Sequence, residues 1–331
     1  MDAFAAALIA GVVTFVCTPI VRRALIRSSI FDVPNERSSH VGAVPRGGGV
    51  AVAMGTVVGA AVMGWSIEAA VVAAAAIALG MVGFMDDRRE LSAGFRLAAQ
   101  FVVPIAATPV LLAADDRSGV MLVALVLIAA GWCATYVNAF NFMDGINGIA
   151  VGQTVVAGCA LAWMANDASD STVVVLSLAV AGAAIGFAPF NVGNASVFLG
   201  DVGSYFLGAW LALLLVLVVD AGTPLLVALG PFTLYLVDTG TTLVRRFRRG
   251  VRLFDGHREH AYQRLLALGS THSQVAALAT AVMAFNSIVL IASSGSALWL
   301  QVAAMGVALA GSAAFVALPA VIAARRSSVV V

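Results

Sequence analysis

Residues 119–148 read GVMLVALVLIAAGWCATYVNAFNFMDGING. The apolar run 119–140 is long enough to cross a bilayer as a helix. It ends in four amide or carboxylate side chains at every third position, Asn138, Asn141, Asp144 and Asn147. On a continuous helix these side chains would share one slowly drifting face, which we expect to hold a cation and a phosphate. The alternative is a helix end capped by Asn and Gly.

The whole chain is as apolar as this stretch. It has 331 residues, of which 61% are hydrophobic and 11% charged, and its mean hydropathy is +1.01. This composition predicts an all-α, polytopic integral membrane protein forming one domain over residues 1–331. We count eleven apolar runs as predicted spans, at about 3–22, 47–64, 67–85, 95–113, 119–140, 149–165, 172–189, 203–219, 224–244, 273–293 and 296–323.

The basic residues predict the orientation of these spans. All 18 are Arg, and only Arg117 lies outside the loops that follow odd-numbered spans or the C-terminus. By the positive-inside rule, those loops and the C-terminus are cytoplasmic and the N-terminus is outside. The first run lacks a basic leader, so we interpret it as a retained span and not as a cleaved signal peptide.

Net charge and cysteine spacing exclude other classes of function. A net charge of +1 argues against a nucleic-acid partner. Cys17, Cys133 and Cys159 lie inside apolar runs without CxxC spacing, which indicates neither a disulfide framework nor a zinc site. The remaining chemistry is concentrated in the loops predicted to face the cytoplasm.

The first of these loops leads into the second span through Pro45-Arg46 and three glycines, Gly47 to Gly49. Glycines at a helix start leave backbone N–H groups open to an anion, and Arg46 adds positive charge there. The alternative is a flexible loop with an anchoring Arg. We therefore hold Arg46 as a candidate phosphate-binding residue.

The third span ends in adjacent acids, Asp86 and Asp87. Adjacent carboxylates at a membrane edge suggest a metal, a cationic partner or proton handling. The alternative is an acidic loop neutralised by neighbouring Arg. A similar pair, Asp115-Asp116, lies in a loop predicted to face outward, and we assign that pair to solvent.

Asp201 is the lone acid of a Gly-flanked loop at the start of the eighth span. It is either the N-cap of that helix or part of an acidic set with Asp86, Asp87 and Asp144. Carboxylates converging on one membrane surface could bind Mg²⁺, with substrate phosphates and water completing its coordination.

The ninth span carries an intramembrane acid, Asp238, which we expect to face the cleft or an Arg. The loop after it contains four cationic or imidazole side chains suited to a diphosphate, at His257, Arg258, His260 and Arg264. The isolated His272 is predicted to be structural.

Together these motifs resemble the polyprenyl-phosphate N-acetylhexosamine-1-phosphate transferases. The resemblance covers most of residues 31–265, leaving the C-terminal spans at 273–323 outside it. Its motifs are RSSH (37–40), PRGGG (45–49), DD (86–87), NAFNFMDG (138–145), FLGDVGS (198–204) and REH (258–260).

The resemblance implies that polyprenyl phosphate attacks the sugar-bearing phosphorus of a UDP-N-acetylhexosamine, giving polyprenyl-diphospho-sugar and UMP. It also implies a bacterial cell membrane, a Mg²⁺ cofactor that Mn²⁺ could replace, and homodimerisation as a further hypothesis. The implied catalytic residues are Asp86, Asp87 and Asp144, and the implied metal ligands are Asp201 and Asn141. Substrate contacts are expected from Arg46, Asn138, Phe198, His257, Arg258, His260 and Arg264.

The chain departs from the family pattern at two places. Many members carry Asp where this chain has Asn147, which puts an acid/base role there in doubt. The terminal histidine cluster appears as His260-Ala-Tyr-Gln. This form resembles the branch that initiates O-antigen-type or other surface glycans, whose sugars include N-acetylglucosamine, N-acetylfucosamine and N-acetylquinovosamine.

Two other functions compete with this interpretation. A secondary transporter for an anionic or phosphorylated solute would also have intramembrane Asp and Gly-broken helices. Such a protein places its binding groups near the midplane and often has inverted repeats, neither of which is evident here. A non-catalytic scaffold would not need the complete acidic and cationic set.

Overall fold

A computed structural model describes residues 2–32, 42–62, 64–112, 119–251 and 258–329. The described chain is built from helices and one two-residue β pair, Phe31–Asp32 (β1) with Val44–Pro45 (β2). The helices are α1 (Asp2–Arg27), α2 (Gly49–Ala61), α3 (Ile67–Arg89), α4 (Ala93–Leu111), α5 (Gly119–Met143), α6 (Ile149–Asp167), α7 (Ser171–Asn191), α8 (Gly200–Asp220), α9 (Leu225–Ala228), α10 (Thr233–Arg248), α11 (Ala261–Ala267), α12 (His272–Ala292) and α13 (Leu298–Val329).

Within the described ranges, 9 helices are long and apolar enough to cross a membrane. Each coincides with one of the predicted spans, which confirms the all-α polytopic class. The predicted second span is only the 13-residue helix α2. At 1.5 Å per residue it is about 20 Å long, short of a hydrocarbon core of about 30 Å.

The predicted ninth span is broken into α9, a 3-10 turn at Gly230–Phe232, and α10. Proline at position 231 lacks the N–H that a continuous helix would use, and side chains replace the missing bonds. Gln153 Nε2 donates to the Pro231 carbonyl at 3.0 Å, and Thr233 Oγ1 donates to the Gly230 carbonyl at 2.9 Å. Asn286 Nδ2 in turn donates to Thr233 Oγ1 at 2.8 Å. The backbone carbonyl groups freed by the break are therefore hydrogen-bonded by side chains within the bundle, as an apolar environment requires.

Helix α8 forms the centre of the bundle. In its most apolar window 94% of the residues are buried, against 22% for α1 and 28% for α4. Helices α2, α3 and α5 pack directly on α8. The more exposed apolar faces of the peripheral helices suit contact with lipid.

Glycines bring α2 and α3 close to the start of α8. A Cβ atom at Gly49 would lie 2.2 Å from the Cα atom of Gly203, and one at Gly83 would lie 2.1 Å from the carbonyl oxygen of Asp201. The backbones therefore meet without intervening side chains, which positions the residues at these helix ends.

This contact predicts that Gly83→Ala lowers stability by about 1–3 kcal/mol or more, because the added methyl group has no room beside α8. Gly131→Ala is the matched control, since a Cβ there meets nothing within 4 Å and Ala favours the helix. Thermal unfolding of both variants in detergent checks the prediction. Equal unfolding temperatures for the two variants would contradict it.

Candidate active site

One guanidinium links two of the predicted acids. Arg46 lies 2.7 Å from Asp87 through Nε and 2.6 Å from Asp201 through a terminal nitrogen. Asp87 is on the last turn of α3 and Asp201 on the first turn of α8. The structure thus joins three sequence-predicted residues that are far apart along the chain.

Asp87 also caps helix α8. Its two carboxylate oxygens accept the backbone N–H groups of Asp201 at 2.9 Å and Val202 at 3.0 Å. The alternative interpretation of Asp201 as the N-cap is wrong, because Leu199 is the N-cap residue and Asp201 lies within the first turn. Asp87 on α3 accepts the N–H groups that an N-cap side chain would otherwise accept, so the Asp201 side chain is left to other partners.

Asn141 completes the contacts of Asp201 from α5. Its Nδ2 donates to Asp201 Oδ1 and to Ser204 Oγ, both at 2.9 Å. Asn141 and Asp201, the two predicted metal ligands, are therefore joined by a direct hydrogen bond, and their binding of a metal stays a prediction. Ser204 is a partner that sequence reasoning did not assign, although it lies in the same FLGDVGS motif.

The predicted continuous face from Asn138 to Asn147 is only half helical. Helix α5 ends at Met143, so Asp144 and Asn147 lie in the loop before α6. Gly145 admits the close approach of the Tyr262 hydroxyl, 2.0 Å from a Cβ placed there. Asn138, Asn141, Asp144 and Asn147 therefore do not share one helical face, because the helix ends at Met143 and the chain continues as a loop next to Tyr262.

Asp144 is partly exposed and interacts electrostatically with the Arg46-bridged acids. Burial raises the pKa of the Asp144 carboxyl well above its usual value. The negative charges of Asp201 and Asp87 raise this pKa further, while Arg46 opposes them. Asp144 therefore lies close enough to Asp201, Asp87 and Arg46 to interact with their charges, and its catalytic role stays a prediction.

Asp86 is turned to different partners from Asp87. It accepts a bond from Arg96 at 2.8 Å and another from the Leu91 backbone N–H at 2.7 Å. These contacts fix the turn between α3 and α4. The adjacent acids therefore have separate environments, which the sequence could not distinguish.

The glycines before α2 do not offer free N–H groups, so that expectation is wrong. Gly47 and Gly48 donate to the Phe198 carbonyl at 3.2 and 2.8 Å, and Gly49 donates to the Leu199 carbonyl at 2.8 Å. Phe198 N donates back to the Pro45 carbonyl at 2.9 Å. Phe198, predicted as a substrate contact, thus anchors the Arg46 segment through its backbone.

Asn138, another predicted substrate contact, has protein partners. Its Nδ2 donates to the Gln100 side chain and to the Ala134 carbonyl, the latter at 2.8 Å. Gln100 is fully buried. This pair joins α4 to α5 beside the cluster.

Buried Asp238 holds the start of α11. Both of its oxygens lie 3.1 Å from the Ala261 N–H, and the Thr242 hydroxyl donates to it at 3.3 Å. His260 Nδ1 lies 3.4 Å from Asp238. The predicted substrate contact His260 is therefore buried against an acid, and its ring stacks on Tyr262 with centroids 5.7 Å apart.

Two further members of the cationic loop lie within the described residues. Arg258 is exposed and Arg264 half-buried, while His257 lies outside the described residues. Tyr262 links this loop to the acidic cluster. Its hydroxyl donates to the Phe142 carbonyl at 2.9 Å, and it interacts electrostatically with both Asp144 and Arg258.

Glu259 was not singled out from the sequence. It pairs with Arg246 at 2.9 Å and also with Arg249, tying the loop to the end of α10. Burial opposes its ionisation, but hydrogen bonds from Arg249 and Arg246 lower the pKa of Glu259. The run of Arg at the end of α10 could have indicated this role for Glu259, since clustered Arg side chains need a nearby negative charge.

His272 has the predicted structural role, because its Nδ1 accepts the Asn147 N–H at 3.2 Å. Asn147 Nδ2 donates to the Gly193 carbonyl at 2.6 Å. Asn191 Oδ1 accepts the next N–H, from Gly148, at 2.9 Å. The end of the motif is therefore held by structural contacts. Asp115 and Asp116, assigned to solvent from the sequence, lie outside the described residues.

Carboxyl groups outnumber guanidinium groups at the cluster. Asp86, Asp87, Asp144 and Asp201 are accompanied by two guanidinium groups, Arg46 and Arg96. Among the described residues, no three His, Cys, Asp or Glu side chains are arranged to hold a metal ion by themselves.

The fold and the site define a polytopic helical membrane protein with an arginine-bridged acidic cluster where the ends of α3 and α5 meet the start of α8. Residues 69–219 match glycosyl transferase family 4, and this range carries Asp87, Asn141, Asp144 and Asp201.

The chain is 28% identical to a Bacillus subtilis protein named a probable undecaprenyl-phosphate N-acetylglucosaminyl 1-phosphate transferase, covering 86% of this chain and 83% of the relative. It is 29% identical to a decaprenyl-phosphate N-acetylglucosaminephosphotransferase of Mycobacterium tuberculosis, covering 81% and 76%. A phospho-N-acetylmuramoyl-pentapeptide-transferase of Lactobacillus delbrueckii is 33% identical over 42% of this chain and 49% of its own. By these matches the chain is similar to polyprenyl-phosphate hexosamine-1-phosphate transferases.

Proposed function

We propose that this protein transfers a hexosamine 1-phosphate from a UDP-sugar to polyprenyl phosphate, releasing UMP. The observation that carries the proposal is the cluster in which Arg46 bridges Asp87 and Asp201 while Asn141 binds Asp201. In the reaction, an oxygen of the lipid phosphate attacks the sugar-bearing phosphorus. The bond from that phosphorus to the UMP oxygen breaks, so the lipid phosphate gains the sugar 1-phosphate and becomes a polyprenyl-diphospho-sugar.

A Mg²⁺ ion, or Mn²⁺ in its place, fits the charge of this cluster. Mg²⁺ commonly takes one or two protein carboxylates and completes its shell with water and substrate phosphates, so three convergent acids are unnecessary. Asp201 would hold the ion with the Asn141 amide, beside Asp144. When bound, the ion would neutralise negative charge on the diphosphate.

The protein's own residues supply the rest of the stabilisation. Arg46 has guanidinium donors at the cluster, and Arg258 lies exposed on the loop that the Tyr262 hydroxyl ties to the Phe142 carbonyl at the end of α5. Fixed cations favour the charge that moves among phosphate oxygens during transfer. Asp87 and Asp86 hold the helix ends, and through them the cluster, in place.

The position of the cluster favours transfer over transport. Asp87, Asn141 and Asp201 lie on the terminal turns of α3, α5 and α8. A transporter site is expected near the midplane of its helices. Phosphoryl transfer between a soluble nucleotide and a lipid headgroup suits a site at the helix ends.

The proposal is tested by UMP release from membranes supplied with Mg²⁺, UDP-N-acetylglucosamine and polyprenyl phosphate. We expect release to depend on all three and to stop when the metal is chelated. Asp201→Ala should reduce release by about 100-fold or more, because it removes the proposed ligand and the partner of Arg46. Unchanged release in that variant would refute the metal assignment.

N-Acetylglucosamine is the proposed sugar, because the relatives that cover about four fifths of the chain are named for it. A panel of purified UDP-sugars should give the highest kcat/KM with UDP-N-acetylglucosamine. UDP-N-acetylfucosamine and UDP-N-acetylquinovosamine are the competing donors to include. A higher kcat/KM with either one would reassign the substrate.

The orientation is also proposed. We place the protein in a bacterial cell membrane with the N-terminus outside and the cluster on the cytoplasmic side, following the Arg distribution. Homodimerisation stays a prediction. Labelling of single introduced cysteines by a membrane-impermeant reagent on intact cells would distinguish the two orientations.

A further inference from the structure

Arg46 is bonded to Asp201, the carboxylate proposed to hold a divalent cation. Asp201 Oδ1 receives a bond from Arg46 at 2.6 Å and another from Asn141 at 2.9 Å. A divalent cation that binds the same carboxylate would meet the positive guanidinium at close range. Two cations held together by one carboxylate repel each other, so cation binding and this ion pair compete.

The contacts of Arg46 allow its side chain to move while its backbone stays fixed. The backbone pairs with Phe198 in a parallel bridge, and the following Gly48 donates to the Phe198 carbonyl at 2.8 Å. The Arg46 side chain is 33% exposed, whereas that of Asp87 is 1% exposed and is held by two N–H groups of α8. Movement of the guanidinium therefore needs no rearrangement of the helices.

A guanidinium that leaves Asp201 has donors for another anion. Its planar, forked N–H groups match phosphate oxygens in pairs. The remaining contact to Asp87 would keep the group at the cluster. The same side chain can thus serve as a counter-ion before binding and as a phosphate ligand afterwards.

We infer that Arg46 is a displaceable counter-ion that sets the cation affinity of the cluster and couples cation binding to diphosphate binding. This inference rests on the proposed function. A divalent cation displaces Arg46 from Asp201, and the released guanidinium then binds a diphosphate more tightly. By thermodynamic reciprocity, the diphosphate should increase cation affinity by the same factor.

The test measures Mn²⁺ binding to the purified, detergent-solubilised full chain by electron paramagnetic resonance, without nucleotide or lipid. We expect Arg46→Gln to bind Mn²⁺ about tenfold or more tightly than the unmodified protein, because a competing positive charge is removed. Arg96→Gln is the matched control. It removes a guanidinium that pairs with Asp86, so any gain there should be smaller.

Arg46→Met decides the question if Arg46→Gln does not fold. Methionine also removes the competing positive charge, so we expect tighter Mn²⁺ binding than in the unmodified protein. Unchanged or weaker Mn²⁺ binding in every folded Arg46 variant would overturn the inference.

UDP supplies the second readout. In the unmodified protein, saturating Mn²⁺ should tighten UDP binding, and this factor should fall in Arg46→Gln relative to Arg96→Gln. An equal factor in both variants would overturn the coupling. Neither measurement uses sugar transfer, so the outcome is distinguishable from a failure of UMP release.

Discussion

Asp87→Asn is expected to lower kcat/KM by about 100-fold or more, because small displacements of catalytic groups cost that much. The carboxylate holds two N–H groups at the start of α8 and pairs with Arg46. An amide keeps one acceptor oxygen but loses the charge and the second acceptor. The first turn of α8, and with it Asp201, would therefore shift. Steady-state UMP release measures the loss.

The matched control is Asp170→Asn at the start of α7. Asp170 caps that helix through the Val173 N–H at 3.1 Å, and Asn is about as good an N-cap as Asp. We expect kcat/KM to change less than about twofold, because Asn can replace Asp as this N-cap and Arg46 pairs with Asp87 and not with Asp170. For Asp116→Asn, in the loop predicted to face outward, we also expect little change in kcat/KM. Equal losses at Asp87 and Asp170 would contradict the role given to Asp87.

Asp238→Ala is expected to lower the free energy of unfolding by about 2–4 kcal/mol and to abolish most activity, because buried polar groups lose their partner. The fully buried carboxylate holds the Ala261 N–H and lies beside His260. Without it, the start of α11 loses its position relative to the acidic cluster. Thermal unfolding in detergent and UMP release measure the two effects.

Two milder variants separate the contacts of Asp238. Asp238→Asn retains an acceptor for Ala261 and should recover part of the stability lost in Asp238→Ala. Thr242→Val removes only the bond at 3.3 Å and should cost less than about 1 kcal/mol. Equal destabilisation by Asp238→Asn and Asp238→Ala would mean that the Ala261 contact is unimportant.

The membrane class and most spans could be predicted because hydropathy over about twenty residues is a local property. The break at Gly230–Phe232 was missed because hydropathy stays high across residues 224–244, although Gly230 and Pro231 are helix-breaking residues visible in the sequence. Its stability comes from Gln153 and Asn286 on other helices. The short α2 was also missed, because apolar residues continue beyond the end of the helix.

Residue types and order predicted Arg46, Asp87, Asn141 and Asp201 as one set, and the structure brings these four together, but their individual partners could not be predicted. Adjacent acids look equivalent in sequence, yet Asp87 reaches α8 while Asp86 reaches Arg96. The glycines before α2 suggested an anion site, whereas the structure uses their N–H groups to pair with Phe198 and Leu199. Such assignments depend on which helix ends meet, and no local pattern contains that information.

In the proposed reaction the sugar and its phosphate move together to the lipid. This is tested by incubating purified protein and Mg²⁺ with polyprenyl phosphate and UDP-N-acetylglucosamine labelled at the sugar-bearing phosphate. We expect the label to enter the organic phase with the lipid while unlabelled UMP is released. Labelled UDP remaining in the aqueous phase would show transfer of the sugar alone and would contradict the proposed reaction.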